Sequence, residues 1–195
     1  MNNEVFSVFI TGVGGQGILL ASELLSEVAR TAGKDVKKSE VHGMAQRGGS
    51  VVGHVRFGAK VASPLITDGE ADVILAFEKL EALRHINALK PGGKIIVNEQ
   101  EIAPAPVAAG LMEYPTDVWG RIVAVSSDAV KVEGAKLAKE AGSIRATNVV
   151  LLGALSAFLP FEEKIWHEAI KKRVPPKTIE INIKAFSFGR RAAGG

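Results

Sequence analysis

Apolar and polar positions change period repeatedly along this chain, and the changes predict strands and helices in turn. Residues 5–10 form an apolar run that feeds the cluster Gly12, Gly14, Gly15 and Gly17. A helical stretch follows over 15–31, with Ile18, Leu19, Leu24, Leu25 and Val28 on its apolar side, and Gly33 is a natural stop. A second strand is expected over 35–41. After an aperiodic glycine-rich loop at 42–50, residues 51–57 alternate as a strand. A turn at 58–60 and a short extended piece at 61–65 then predict a local antiparallel pair. Residues 72–77 and 94–98 read as buried parallel strands. Between them lies a helix over 78–89, stopped by Pro91-Gly92-Gly93.

The second half predicts a long connection over 100–115, which holds Pro104, Pro106, Gly110 and Pro115, with one short strand near Val107. A further strand follows over 121–125. Ser126 or Ser127 can cap a helix running to about Ala141. A very apolar helix covers 148–158, where Gly153 and Ala154 permit close packing. Another helix covers 162–172. Pro175-Pro176 start a last one, with Ile179, Ile183 and Phe186 on one face and Gly189 as its end. The alternation predicts an α/β fold: a three-layer, Rossmann-like, mostly parallel sheet with helices on both faces and a local antiparallel strand pair. Six or seven strands and six helices are expected in one domain over residues 1–195, with 190–195 as a frayed tail. Strand order is left open.

Composition narrows the chemistry. The 195 residues are 47% hydrophobic, enough to bury a substantial core. No stretch approaches the ~20 apolar residues of a membrane span, and the N-terminus lacks the pattern of a secretory signal; a cytoplasmic protein that binds no membrane is expected. The sequence contains no cysteine, which excludes disulfides, a cysteine nucleophile, thiolate-ligated zinc and ordinary iron–sulfur clusters within this chain. His42, His54, His85 and His167 form no metal-site spacing. Net charge is only +3, but residues 34–60 and 171–195 are both basic. Such faces attract phosphate-bearing ligands or acidic partners, or are simply solvated. With one Tyr and two Trp, base stacking has little to work with, and no nucleic-acid partner is expected.

The order strand, glycine turn, helix start at 10–17 carries candidate chemistry. A helix N-terminus has unpaired N–H groups and about half a positive charge, so backbone without side chains there can hold a phosphate. Gly12, Gly14 and Gly17 fit G-x-G-x-x-G in the required context. The same glycines also serve simply to pack the helix on the sheet. The acidic residue that grips a ribose hydroxyl in dinucleotide folds is present only as Glu40, flanked by Lys37 and Lys38. A second loop, Gln46-Arg47-Gly48-Gly49, sets a planar cation among glycines, suited to a carboxylate or phosphate. His42 and Ser50 flank it as further hydrogen-bonding groups. Arg47 could equally be solvated or pair with Asp68 or Glu70.

Three motifs in order carry a resemblance over nearly the whole chain: Gly-Val-Gly-Gly-Gln-Gly at 12–17, His-Gly-Met-Ala-Gln-Arg-Gly-Gly at 42–49 with Arg56 after it, and Thr-Asn-Val-Val-Leu-Leu-Gly-Ala at 147–154. The sequence resembles the gamma subunits and gamma domains of the 2-oxoacid:ferredoxin oxidoreductases. Within them it is most similar to the small beta subunit of the indolepyruvate branch, ahead of the short gamma subunits acting on pyruvate, 2-oxoglutarate and ketoisovalerate. The resemblance implies one part of an enzyme that is inactive alone. A 2-oxoacid is decarboxylated on thiamine diphosphate with its Mg, electrons leave through iron–sulfur clusters to ferredoxin, and coenzyme A takes the acyl group. The large partner subunit is expected to hold the thiamine and the clusters, and this chain no cofactor by itself.

The resemblance further implies that the chain covers the partner's active site and helps bind an anionic group, a coenzyme A phosphate or the oxoacid carboxylate. Gly12, Gly14, Gly15, Gln16 and Gly17 form the turn, with N–H groups offered by residues 14–17. Gln46, Arg47, Gly48 and Gly49 supply the second loop, and Asn148 helps orient the ligand. No catalytic residue and no metal ligand is assigned. Two other readings stand beside this one: a free-standing NAD(P)-binding oxidoreductase with the adenosine near Glu40, and a non-catalytic scaffold subunit.

Overall fold

The computed structural model describes residues 5–43 and 48–194. Its centre is β1 (Phe6–Val13), whose side chains alternate between two apolar layers. Val8 and Ile10 join one core and Phe9 the other, as the period of two dictates for a strand covered on both faces. The chain continues through α1 (Ile18–Thr31), β2 (Asp35–His42), β3 (Ser50–Gly58), β4 (Ala71–Ala76) and α2 (Lys79–Arg84) to β5 (Leu89–Asn98). The short α3 (Ala105–Ala108) and α4 (Val118–Val125) precede β6 (Val130–Val132). Four helices close the chain: α5 (Gly134–Ala141), α6 (Thr147–Ser156), α7 (Glu163–Arg173) and α8 (Ile179–Ala192).

The six strands form one sheet in the order β2-β3-β1-β4-β5-β6. β1, β4, β5 and β6 run parallel. β3 pairs antiparallel with both β1 and β2, so it is the one reversed strand among those described. α1 and α5 to α8 pack one face, and α2 and α4 the other. The expected three-layer, mostly parallel α/β architecture is present.

Several local expectations are corrected. The antiparallel partners of 51–57 are β1 and β2; residues 61–65 form no strand. The strand expected at 121–125 is α4, because a short apolar run reads alike in both periods and Asp117 caps it through Gly120 N–H. The region around Val107 is the helical turn α3. Pro91, Gly92 and Gly93 do not interrupt the chain before a strand; they lie within β5, where its register with β4 shifts. The helix expected after Ser126 begins only at Gly134, since β6 intervenes. Gly189 does not end α8. It lies inside the helix, where an added Cβ would run into the backbone carbonyl of Val150 on α6. α6 is buried all round, and Gly153 meets the Phe186 backbone in the same way. Small residues let these two helices touch.

Candidate functional site

The C-terminal ends of β1, β4 and β5 open onto the first glycine turn, the place where open α/β sheets bind ligands. Gly15 and Gly17 have φ of 101° and 87°, left-handed values that glycine adopts without strain. Gly17 is the N-cap of α1, with no side-chain cap. A Cβ at Gly12 would lie 2.6 Å from Gln16 Oε1 and 2.7 Å from Phe77 Cβ; Gly12 therefore serves packing.

Gln16 faces inward. Its Oε1 accepts from Val13 N–H at 2.7 Å, and its Nε2 donates to Phe77 O at 2.9 Å and Gln100 Oε1 at 3.1 Å. Asn98 shares both acceptors, and its Oδ1 takes Gly134 N–H at 3.1 Å. This half-buried amide network ties the turn to the start of α5 and rigidifies it.

The two glycine motifs meet: Gly14 N–H donates to Gly49 O at 2.9 Å, and Val13 pairs with Ser50 in the sheet. Gln16 N–H is held by Val13 O at 3.2 Å. Of the four N–H groups expected at the turn, those of Gly14 and Gln16 are thus used internally. Among the described residues, those of Gly15 and Gly17 have no partner, and the first turn of α1 adds its own unpaired groups. Asn148 also arrives here. It is 8% exposed, and its Nδ2 lies 2.8 Å from where a Gly17 Cβ would sit. Gln46 and Arg47 lie outside the described residues, while Gly48 and Gly49 are at the rim.

Three clefts surround the turn. One of about 570 Å³ is bordered by Gly14, Gly15, Gly17, Leu19 and His42. A second, of about 230 Å³, is lined by Gly15, Gln16, Ala135, Arg145 and Thr147. There the starts of α1, α5 and α6 converge with an exposed arginine, and among the described residues no carboxylate lines the walls. Dipoles and charge all favour an anion. Arg145 was not singled out from sequence; the signal available was a cation two residues ahead of the Thr-Asn helix start. The third cleft, about 400 Å³, lies on the α2 face beside Gly48 and Gly49 and includes Ser50, Glu78 and Glu81.

Other expectations fall away from the rim. Arg56 sits near the opposite end of β3, six residues or about 20 Å from Ser50, with Nη1 donating to Leu65 O at 2.8 Å. Ser50 gives its hydroxyl to Glu81 at 2.5 Å. Glu40 is on edge strand β2, 3.4 Å from Lys38. In a dinucleotide fold that acid ends the strand beside β1; here β3 takes that place, and Glu40 on β2 lies two strand spacings from β1, about 5 Å farther across the sheet than such a site needs. Among the described residues no group of three His, Asp or Glu side chains is placed to hold a metal, and with no cysteine in the sequence the chain has no thiolate for an iron–sulfur cluster. Among the described residues no helix is long and apolar enough to cross a membrane.

Residues 7–192 match the family described as pyruvate ferredoxin/flavodoxin oxidoreductase, and the chain belongs to that family. It is 49% identical over 200 residues to indolepyruvate oxidoreductase subunit IorB of Thermococcus kodakarensis, with 96% of each chain covered. In fold it is similar to the gamma subunit of a keto/oxoacid ferredoxin oxidoreductase from Geobacter sulfurreducens (TM-score 0.72, 24% identity, 96% of this chain and 98% of that one). It is also similar to 2-oxoglutarate:ferredoxin oxidoreductase from Magnetococcus marinus, solved with 2-oxoglutarate, coenzyme A and succinyl-CoA bound (TM-score 0.72, 22% identity, 98% of this chain and 31% of that one). The chain is a subunit of a 2-oxoacid oxidoreductase.

Proposed function

We propose that this chain is the small subunit of an indolepyruvate-type 2-oxoacid:ferredoxin oxidoreductase and supplies an anion-accepting rim for coenzyme A. The observation that carries the reading is the Gly14–Gly49 hydrogen bond, which brings both glycine motifs to one edge. Gly15, Gly17 and Arg145 would receive a phosphate of the coenzyme, with Asn148 orienting it and Gln46, Arg47, Gly48 and Gly49 completing the rim. Coenzyme A is a polyanion, and a carboxylate-free cleft at three helix starts suits one of its phosphates. The chain's residues bind and orient; the carbanion chemistry belongs to thiamine diphosphate with Mg, and electron transfer to ferredoxin to iron–sulfur clusters, all on the large partner subunit.

The surface supports docking at the same edge. Among the exposed large apolar residues, Leu19 and Ile144 border the two clefts at the glycine turn and Met112 the third, and its neighbour Leu111 is 80% exposed. Exposed apolar side chains at the margin of a polar cleft suit a partner interface. The large thiamine- and cluster-bearing subunit, seated there, would close the rim over its own active site within the cytoplasm.

Arg145→Ala in the two-subunit complex is expected to raise the KM for coenzyme A about tenfold with kcat little changed, as for a lost charge-assisted contact. An unchanged KM in a fully assembled complex would leave the scaffold reading in its place. Binding of NADH or NADPH by the pure chain would favour the nicotinamide reading, against which the position of Glu40 already counts.

A further inference from the structure

The α2 face holds a buried ionic cluster that the anion rim does not use directly. Glu81 is 4% exposed. Its Oε2 accepts from Ser50 Oγ at 2.5 Å and lies 3.7 Å from His85 Nε2, and its Oε1 lies 3.4 Å from Arg84 Nε. Ser50 is the residue directly after Gly49, the residue whose carbonyl takes Gly14 N–H. One corner of backbone is thus pinned twice, by the first glycine turn and by a carboxylate on α2. Glu78, one helical turn earlier, is 1% exposed. It accepts from Ile102 N–H at 3.2 Å and from the Tyr114 hydroxyl at 2.8 Å, pinning the connection on the other side of the third cleft.

Burying a carboxylate costs stability unless every partner is in place, and an apolar replacement is often neutral or better. Glu78 is the N-cap of α2, its Oε2 accepting from Glu81 N–H at 2.8 Å, which already accounts for it; Glu81, inside the helix, calls for an account beyond stability. Glu81 holds the side chain of Ser50, the first residue of β3, while Glu78 holds the backbone N–H of Ile102 in the connection after β5. A charged acceptor holds a serine hydroxyl about twice as strongly as a neutral one. It does so from beneath, leaving the backbone above uncovered.

We propose that Glu81 is a positioning residue of the anion rim: through Ser50 it fixes the Gly48–Gly49 corner against Gly14, and so sets where the N–H groups of Gly15 and Gly17 point. The proposal rests on the reading of this edge as the coenzyme A rim. It is tested in the two-subunit complex with Glu81→Gln, Ser50→Ala and Ser50→Thr, with Arg145→Ala alongside. Glu81→Gln and Ser50→Ala should each raise the KM for coenzyme A about tenfold while kcat stays within about twofold. Ser50→Thr, which keeps the hydroxyl, should restore the KM. Amide exchange in the peptide spanning Gly12 to Leu19 should quicken in Ser50→Ala, with β4 unaffected.

A raised KM for Arg145→Ala with unchanged KM and exchange in Ser50→Ala and Glu81→Gln would overturn the latch and spare the rim. Unchanged KM in all of them would remove the rim itself. If Glu81→Gln fails to assemble, the Ser50 pair decides: Ser50→Ala with a lowered melting temperature and normal KM makes the contact structural only.

Discussion

Two sets of glycines in this chain do opposite work. At the α6–α8 crossing, Gly153 and Gly189 face the backbone of the opposing helix so closely that a Cβ on either would collide with it. At the rim, Gly15 has nothing within 4 Å of the place a Cβ would occupy, and φ of +101°. In the first case a missing side chain lets protein meet protein. In the second it leaves backbone N–H groups facing open cleft. Gly17 lies between, left-handed like Gly15 but with Asn148 against it. Residue identity is shared; surroundings decide whether a glycine belongs to the core or to the site.

Alanine substitutions break this comparison most strongly at the helix crossing. Gly153→Ala or Gly189→Ala must push α6 and α8 apart, and overpacking of this kind costs about 3 kcal/mol or more. A drop in melting temperature of roughly 10 °C is expected, with the KM for coenzyme A unchanged in protein that remains folded. A loss of coenzyme A affinity without loss of stability would erase the division. Gly17→Ala comes next, with about 1–2 kcal/mol for the left-handed backbone on top of the displacement of Asn148, whose Nδ2 stands 2.8 Å from the new Cβ, and a raised KM. Gly15→Ala should cost about 1 kcal/mol, because strain is its only penalty, yet still raise the KM. Chemical denaturation and steady-state kinetics on the same preparations separate the two effects.

The smallest expected effect is a pH slope on the α2 face. Burial, with the nearby His85, holds the His54 pKa below 6.5, and its Nδ1 accepts from Ile66 N–H at 3.1 Å. The fold thus binds fewer protons here than the unfolded chain. The contribution is full above about pH 6.5 and is lost as pH falls through the lower, folded value. His54→Asn keeps an acceptor that does not titrate, so the urea midpoint should fall less between about pH 7 and pH 5.5 than in the parent. Equal falls would assign the slope to other groups. Glu81 lies lower on the scale. Burial alone would raise its carboxyl, but the hydrogen bonds from His85 and Ser50 and the Arg84 cation bring it below 4.5, so its share fades only below that pH.

Much of the architecture was legible locally. The run ahead of Gly12, the periodic residues after Gly17 and the long apolar stretch after Asn148 each carry a signal within one element, and each element formed. The motif order also pointed to the family. Where the reading failed, competing elements shared one local pattern. Residues 121–125 are apolar enough for strand or helix, and only packing of Val118 and Ile122 against the sheet makes them α4. Gly189 resembles a helix stop until α6 is placed beside it. Pairing of β3 between β1 and β2 has no local signature, because hydrogen bonding between strands depends on which edges meet.

By itself, the sequence determined the alternation of strands and helices, the absence of thiolate chemistry and the glycine-bearing turn at the head of α1, since period, composition and backbone freedom are properties of neighbouring residues. Tertiary structure alone decided that Gly14 meets Gly49, that Arg145 and three helix starts share a cleft, and that Glu81 reaches Ser50 from beneath. Those contacts join residues far apart along the chain, and they exist only once the sheet order has been set by burying both of its faces.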